Sequence, residues 1–180
     1  MAFDRLIEKI VKLQNPTAVG LDTRLNYLPG FLREKAYSRY GKNLEGASSA
    51  ILEFNQGIID AVCGTVPAVK IQCACYEMYG WQGIRTMRDT IDYAKGKGMF
   101  VIVDGKRNDI GSTMQAYASA YFGTAEVEEN HFPVFDADAL TVNAYLGSDG
   151  IFPLVDACRG KDKGFFVLVK TSNPSSYEIQ

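Results

Sequence analysis

The apolar run at residues 100–103 ends abruptly in charge, with Asp104, Lys106, Arg107 and Asp109 following as "DGKRND". The same change from apolar to polar places Asp22 after residues 17–21, Lys70 within 66–72, Asn143 in 138–145, and Lys170 with Ser172 in 165–172. On an extended strand end, Asp104 and Lys106 stand two residues apart, project from the same face and have α-carbons about 7 Å apart. That spacing predicts one pocket for both, with Lys70 supplied by a neighbouring strand and Asp109 just past the strand. Each opposite charge favours the ionised state, so a lysine among carboxylates stays protonated. An ammonium held this way near an apolar floor suits proton donation to a carbanion. Taken singly, each residue has an ordinary alternative: Asp109 as the N-cap of the next helix, Lys106 and Arg107 as solvated loop charges, Asp104 as a partner of either. A charge at the mouth of nearly every strand favours a shared site.

The elements that must position these residues follow from periodicity. Five short apolar runs, "TAVGLD" (17–22), "VPAVKIQ" (66–72), "MFVIVDGK" (99–106), "DALTVNAY" (138–145) and "FFVLVKTS" (165–172), read as strands covered on both faces, as in a parallel sheet. Between them Ile51, Phe54, Ile58 and Val62 recur at helical spacing, as do Ile84, Met87, Ile91 and Ala94, and then Met114, Tyr117 and Tyr121. "AKGKGM" (94–99) is a glycine-rich helix stop running directly into a strand. An opening helix is expected over residues 3–14, and residues 24–45 form a long Tyr-rich excursion of the kind that serves as a functional loop or lid. Regular β/α alternation fits a doubly wound sheet or a (β/α)₈ barrel. Polar groups at the C-terminal ends of several different strands favour the barrel, where active sites collect. A doubly wound sheet calls for a glycine-rich phosphate turn after the first strand, and "GLDTRL" is not one.

Composition narrows the partners. The 180 residues contain 47% hydrophobic residues, enough for a sizeable core, and 19 basic against 21 acidic side chains give a net charge of −2. The charges are interspersed, without the basic stripe that nucleic acid or an anionic membrane attracts, so a small-molecule partner is expected. The N-terminal "MAFDRLIEKIVKLQ" scatters charges through its apolar residues, unlike a signal-peptide core or a membrane span, and predicts a cytoplasmic protein. Cys63, Cys73, Cys75 and Cys158 lack paired C-x-x-C spacing and are expected to be reduced, mostly buried thiols. His131, the single histidine, reads as a loop residue, which leaves a histidine metal centre or a Ser-His-Asp triad little to work with.

"DGKRNDIGST" (104–113) resembles the D-x-K-x-x-D signature of orotidine 5′-phosphate decarboxylases. The resemblance extends through "VGLDTRL" (19–25), "VKIQ" (69–72), "TVNAYLGSDG" (141–150) and "KTSNPSS" (170–176), and is narrowest to the longer bacterial and archaeal form. It implies a TIM barrel and decarboxylation of orotidine 5′-phosphate to uridine 5′-phosphate in pyrimidine biosynthesis, without a cofactor or a metal. By resemblance, Lys106 delivers a proton to C6 of the pyrimidine, Asp104 lies against the substrate carboxylate, and Lys70 contacts the ribose and holds Asp104. Asp109 and Thr113 would cross a homodimer interface into the partner's site. Asp22 would bind a ribose hydroxyl and Ser172 read the pyrimidine edge, while Asn143 lies in a matching strand-end motif.

Five strands are fewer than the eight of a closed barrel, which takes about 250 residues. Residues 1–180 are therefore expected to be a single barrel domain incomplete at its C-terminus, lacking the family's lid and phosphate-gripping glycine-x-arginine motif. Weak or no turnover is expected of these residues alone. The competing enzymes are a magnesium-dependent phosphosugar decarboxylase or aldolase of the same superfamily, using strand-end carboxylates as metal ligands, and a Schiff-base aldolase built on Lys170. Those magnesium-dependent relatives generally carry an acidic ligand on the second strand, where this chain has Lys70. A non-catalytic nucleotide-binding or dimerisation relic is the reading from outside catalysis.

Overall fold

Each of the five apolar runs forms a strand in the computed structural model, which describes residues 1–180. They are β1 (Ala18–Leu21), β2 (Ala68–Gln72), β3 (Phe100–Arg107), β6 (Ala139–Asn143) and β7 (Gly164–Leu168). The expected helices are present as α1 (Ala2–Leu13), α3 (Leu44–Val62), α5 (Gly80–Gly96) and α6 (Gly111–Phe122), with shorter α4 (Ala74–Glu77) and α7 (Phe152–Cys158). The chain divides into two compact units, residues 3–104 and residues 105–180 with Met1 and Ala2. β3 contributes to both: Phe100–Asp104 belong to the first and its last three residues to the second.

In the first unit the strand order is β1-β2-β3, all parallel, with Gly20 opposite Lys70 and Gln72 opposite Asp104. Leu21, Val69, Ile71, Phe100, Val101 and Val103 are buried between the sheet and its helices, which is why these runs carry almost no polar residue before their C-terminal ends. In the second unit β6 and β7 run parallel, with Asn143 opposite Leu168, and Leu140, Val142, Met114, Tyr121 and Leu154 form the core. The stop after α5 behaves as its glycines predict. Gly98 adopts φ +75°, and the Met99 N–H donates back to the Ala94 carbonyl at 3.0 Å, closing the helix and turning the chain straight into β3.

Three expectations are corrected. The excursion at 24–45 holds an eleven-residue helix, α2 (Gly30–Tyr40), which buries only Ala36 and so shows no apolar stripe in the sequence. His131 lies in a strand, not a loop: β4 (Thr124–Val127) and β5 (Asn130–Pro133) form an antiparallel hairpin with Glu126 opposite His131. On α3 the fully buried stripe is Ala47, Ile51, Asn55 and Ile59, whereas Phe54, Ile58 and Val62 are only half-buried. All four cysteines are free thiols, with Cys73 and Cys75 buried and Cys63 and Cys158 half-buried.

Candidate active site

In the first unit the strand ends bring three predicted site residues into contact. Lys70, on β2, extends its ammonium to Asp22 Oδ1 at 2.8 Å, just past β1, and to Asp104 Oδ2 at 3.4 Å, on β3. Gln72 Oε1 accepts a second hydrogen bond from Lys70 Nζ at 3.2 Å, so the ammonium is engaged by two carboxylates and an amide. The β-sheet register makes this possible: Lys70 stands opposite Gly20, whose missing side chain leaves room for the Lys70 stem and the Asp22 carboxylate. Asp104 is only 8% exposed, and its backbone carbonyl accepts from the Cys73 N–H at 3.2 Å and from Gln72 Nε2 at 3.4 Å. A nearly buried carboxylate needs such a cation, because an unpaired buried charge is costly.

The second unit treats its lysine differently. Lys106 is exposed and adopts φ +49°, a left-handed conformation that is uncommon for a residue with a side chain. The period-two alternation behind the expectation of one shared strand face therefore breaks at this residue. Neighbouring side chains fix the unusual backbone. The Lys106 N–H donates to Thr141 Oγ1 at 3.0 Å, and its carbonyl accepts from Asn143 Nδ2 at 3.0 Å, both from β6. Asn143 Oδ1 in turn accepts from Asn108 Nδ2 at 3.0 Å and from the Tyr145 N–H at 3.2 Å. Asn143, grouped from the sequence with substrate-binding residues, thus has both ends of its amide on the Lys106 loop and its surroundings. Holding a residue in this region costs of order 1–3 kcal/mol, and such strain gathers at functional sites when the surroundings enforce it.

Gly150 completes the clamp. A Cβ built there would lie 1.9 Å from Asn108 Oδ1 and 2.9 Å from the Asp109 carbonyl, so only glycine lets this turn pack against the loop. Arg107 lies over the ring of Tyr117 at 5.8 Å and donates to the Gly105 carbonyl, rather than extending as a solvated charge. Asp109 is not the N-cap of α6. The cap position is Ile110, which has no side-chain cap, and Asp109 Oδ1 instead accepts from the Ile110 N–H at 2.8 Å. Thr113 is exposed in the first turn of α6, and Ser172 is exposed in the loop four residues beyond β7.

Comparison with known proteins bears directly on this set of groups. Residues 51–180 match the family described as "Orotidine 5′-phosphate decarboxylase / HUMPS family". The chain belongs to that family. It is 42% identical over 177 residues to the orotidine 5′-phosphate decarboxylase of Caldicellulosiruptor saccharolyticus, covering 98% of this chain and 58% of that protein. It is 44% identical to that of Rhodopirellula baltica, over 95% of this chain and 55% of the relative. Among solved structures it is similar to the OMP decarboxylase of Leishmania donovani, with a TM-score of 0.72 and 28% identity, covering the whole of this chain and 58% of the other. The chain thus spans a little over half the length of these relatives. The solved relatives are TIM barrels, and the parallel β/α order seen here is that of a partial barrel, as the sequence predicts.

The contacts also show which groups the sequence left unremarked. Gln72, Thr141, Asn108 and Gly150 touch the predicted site residues or hold their backbone, yet none is charged. Thr141 and Gly150 stand at the two ends of "TVNAYLGSDG", so the motif itself carried the signal.

Proposed function

We propose that this protein decarboxylates orotidine 5′-phosphate to uridine 5′-phosphate, as part of pyrimidine synthesis in the cytoplasm. The observation that carries the reading is the Asp22–Lys70–Asp104 cluster at the strand ends of a chain belonging to this family. In the proposed reaction the C6–carboxylate bond breaks, carbon dioxide leaves, and the electron pair remains on C6 in the plane of the ring. That pair cannot enter the π system, so it depends on a fixed positive charge nearby, which Lys106 supplies before giving C6 a proton from Nζ. The lysine then regains a proton from solvent. Asp104, held by Lys70, would face the departing carboxylate, and Asp22 would take a ribose hydroxyl. Enzymes lower barriers by about 8–23 kcal/mol, and a reaction without a delocalised intermediate lies at the demanding end of that range.

The remaining site roles belong to the same proposal. Ser172 would read the pyrimidine edge. Asp109 and Thr113 would reach the site of a second subunit, so that a homodimer shares its active sites; their positions at the start of α6, with Thr113 exposed, support this. Residues 1–180 would make up the first five strands of a single barrel domain. Binding of the substrate's remote phosphate would contribute to closure around the reacting ring.

Lys70 favours this reading over a magnesium-dependent phosphosugar enzyme. Its ammonium lies between Asp22 and Asp104, the place from which a divalent ion would otherwise draw both carboxylates. Spectrophotometric assay of the full-length protein with orotidine 5′-phosphate, in the presence of a chelator, tests the proposal. Metal-independent turnover is the expected result. Loss of turnover in the chelator, restored by magnesium, would support the competing enzyme, and tight binding of uridine 5′-phosphate without turnover would support a non-catalytic relic.

A further inference from the structure

Beneath the Asp22–Lys70 pair lies a buried polar network that the proposed reaction does not use. Asn55, on α3, is fully buried within an otherwise apolar stripe. Its Oδ1 accepts from Thr23 Oγ1 at 2.6 Å, and its Nδ2 donates to the Tyr76 hydroxyl at 2.9 Å and to Thr90 Oγ1 at 3.2 Å. The Tyr76 hydroxyl donates onward to the Leu21 carbonyl at 3.1 Å. Burial pushes the Tyr76 pKa up, so the phenol keeps the proton that this last bond requires. Thr90 Oγ1 donates its own hydrogen bond to the Thr86 carbonyl at 2.7 Å and accepts from Asn55, so the Asn55 amide is satisfied at every polar atom. The Leu25 N–H adds a further anchor, donating to the Tyr79 hydroxyl at 3.3 Å.

The two residues that flank Asp22 are therefore fixed by one network: Leu21 through its carbonyl and Thr23 through its side chain. Asp22 itself is exposed and has its ion pair on the solvent side. An exposed carboxylate on a loop has little to hold it from outside, and buried hydrogen-bonded networks are rigid when every member is satisfied. We infer that Asn55, Tyr76 and Thr23 are positioning residues that fix the Asp22 carboxylate against Lys70, and through Lys70 act on Asp104. The inference rests on the proposed function only for its kinetic readout.

The test is a double-mutant cycle in the full-length protein. Tyr76→Phe removes only the hydroxyl, Thr23→Val removes the donor at nearly constant shape, and Thr23→Ser restores it. With orotidine 5′-phosphate, Tyr76→Phe and Thr23→Val are each expected to lower kcat/KM by about tenfold, with Thr23→Ser near the parent. In an Asp22→Asn background the same substitutions are expected to cost less than about twofold, because the carboxylate they position is gone. Losses of equal size in both backgrounds would show a general effect on folding or packing and overturn the assignment. A crystal structure of Tyr76→Phe decides the point even if the parent does not turn over orotidine 5′-phosphate, an outcome that would sink the proposed function alone. Separation of Lys70 Nζ from Asp22 Oδ1 beyond hydrogen-bonding range supports the positioning role, and an unchanged 2.8 Å contact rejects it.

Discussion

The two lysines of the proposed site are placed by opposite means. Lys70 belongs to a regular strand and is held through its side chain, whose ammonium reaches two carboxylates and an amide. Lys106 stands where β3 gives up its regular geometry, and it is held through its backbone, which Thr141 and Asn143 grip at the N–H and the carbonyl. The difference separates two tasks. A lysine that orders neighbouring carboxylates needs a fixed ammonium, whereas a lysine that donates a proton needs a fixed starting point and an ammonium able to reach the substrate.

Lys106→Ala is the most direct way to break this comparison. If Lys106 supplies both the charge and the proton, kcat should fall by a factor on the order of 10⁴ or more, the upper range for loss of a proton donor. Binding of uridine 5′-phosphate, measured by calorimetry, should persist. Its stability should move by no more than about 1 kcal/mol, the range for the ion pairs of an exposed side chain. Loss of nucleotide binding with little change in turnover would contradict the assigned role.

Lys70→Ala should do the reverse in kind. Removing the ammonium takes the Lys70 ion pair from the nearly buried Asp104, so stability should drop by about 1–3 kcal/mol along with activity. Turnover should fall on the order of 10²-fold, because misplacing groups that contact substrate typically costs this much. Urea denaturation of the two lysine variants side by side distinguishes them. Equal stabilities would mean that the Lys70 ion pairs contribute nothing to the fold.

Substitutions on the second unit's clamp should have smaller effects, concentrated in kcat. Asn143→Ala removes the donor to the Lys106 carbonyl, and kcat should drop about tenfold as the residue leaves its enforced conformation. Gly150→Ala should produce a similar loss, with about 1–3 kcal/mol of destabilisation from the contact its Cβ makes with Asn108. Lys106→Gly in the Asn143→Ala background sharpens the argument. Glycine accepts φ +49° at no steric cost, so the double variant should regain the stability that the clamp no longer enforces, without regaining activity.

Much of this arrangement was legible in the sequence, and what was not has identifiable physical causes. The five strands announce themselves as apolar runs: β2, β3 and β6 bury nearly every position before their C-terminal ends, whereas β1 and β7 keep the apolar pattern although much of each is exposed. The hairpin is invisible to that test, since "TAEV" and "NHFP" are almost wholly exposed and bury nothing. α2 fails for the same reason. The charged residues of the site could be found because ionic groups at strand ends are rare by chance. Asn55 could not be found that way, since a lone Asn at helical spacing also fits an exposed helix face; its signal was its place between Ile51 and Ile59, one turn from each. The sequence also misdirects at β3. Glycine takes a left-handed conformation most readily, yet in "DGK" it is Lys106 that does so, with its N–H and carbonyl held by partners from β6.

The smallest effect sets the two units against each other through pH. Tyr76 in the first unit and Cys158 in the second are both acids that burial keeps neutral, the Cys158 thiol being pushed up to about 11 from 9.0. In each case the unfolded chain loses the proton at a lower pH than the folded one, so ionisation favours unfolding. Stability is unaffected below the unfolded values and declines as pH rises past them, first through Cys158 from about pH 9 and then through Tyr76 from about pH 10. The slope cannot exceed about 1.4 kcal/mol per pH unit for each group, and Cys158, only half-buried, should fall well short of it. Cys158→Ala should therefore flatten the denaturation profile between pH 9 and 10, while Tyr76→Phe should flatten it only above that range. Because Tyr76 also anchors Leu21, its substitution alone should lower activity at neutral pH. A Cys158→Ala variant that lost activity there would mean that the second unit's core, and not only its clamp, bears on the position of Lys106.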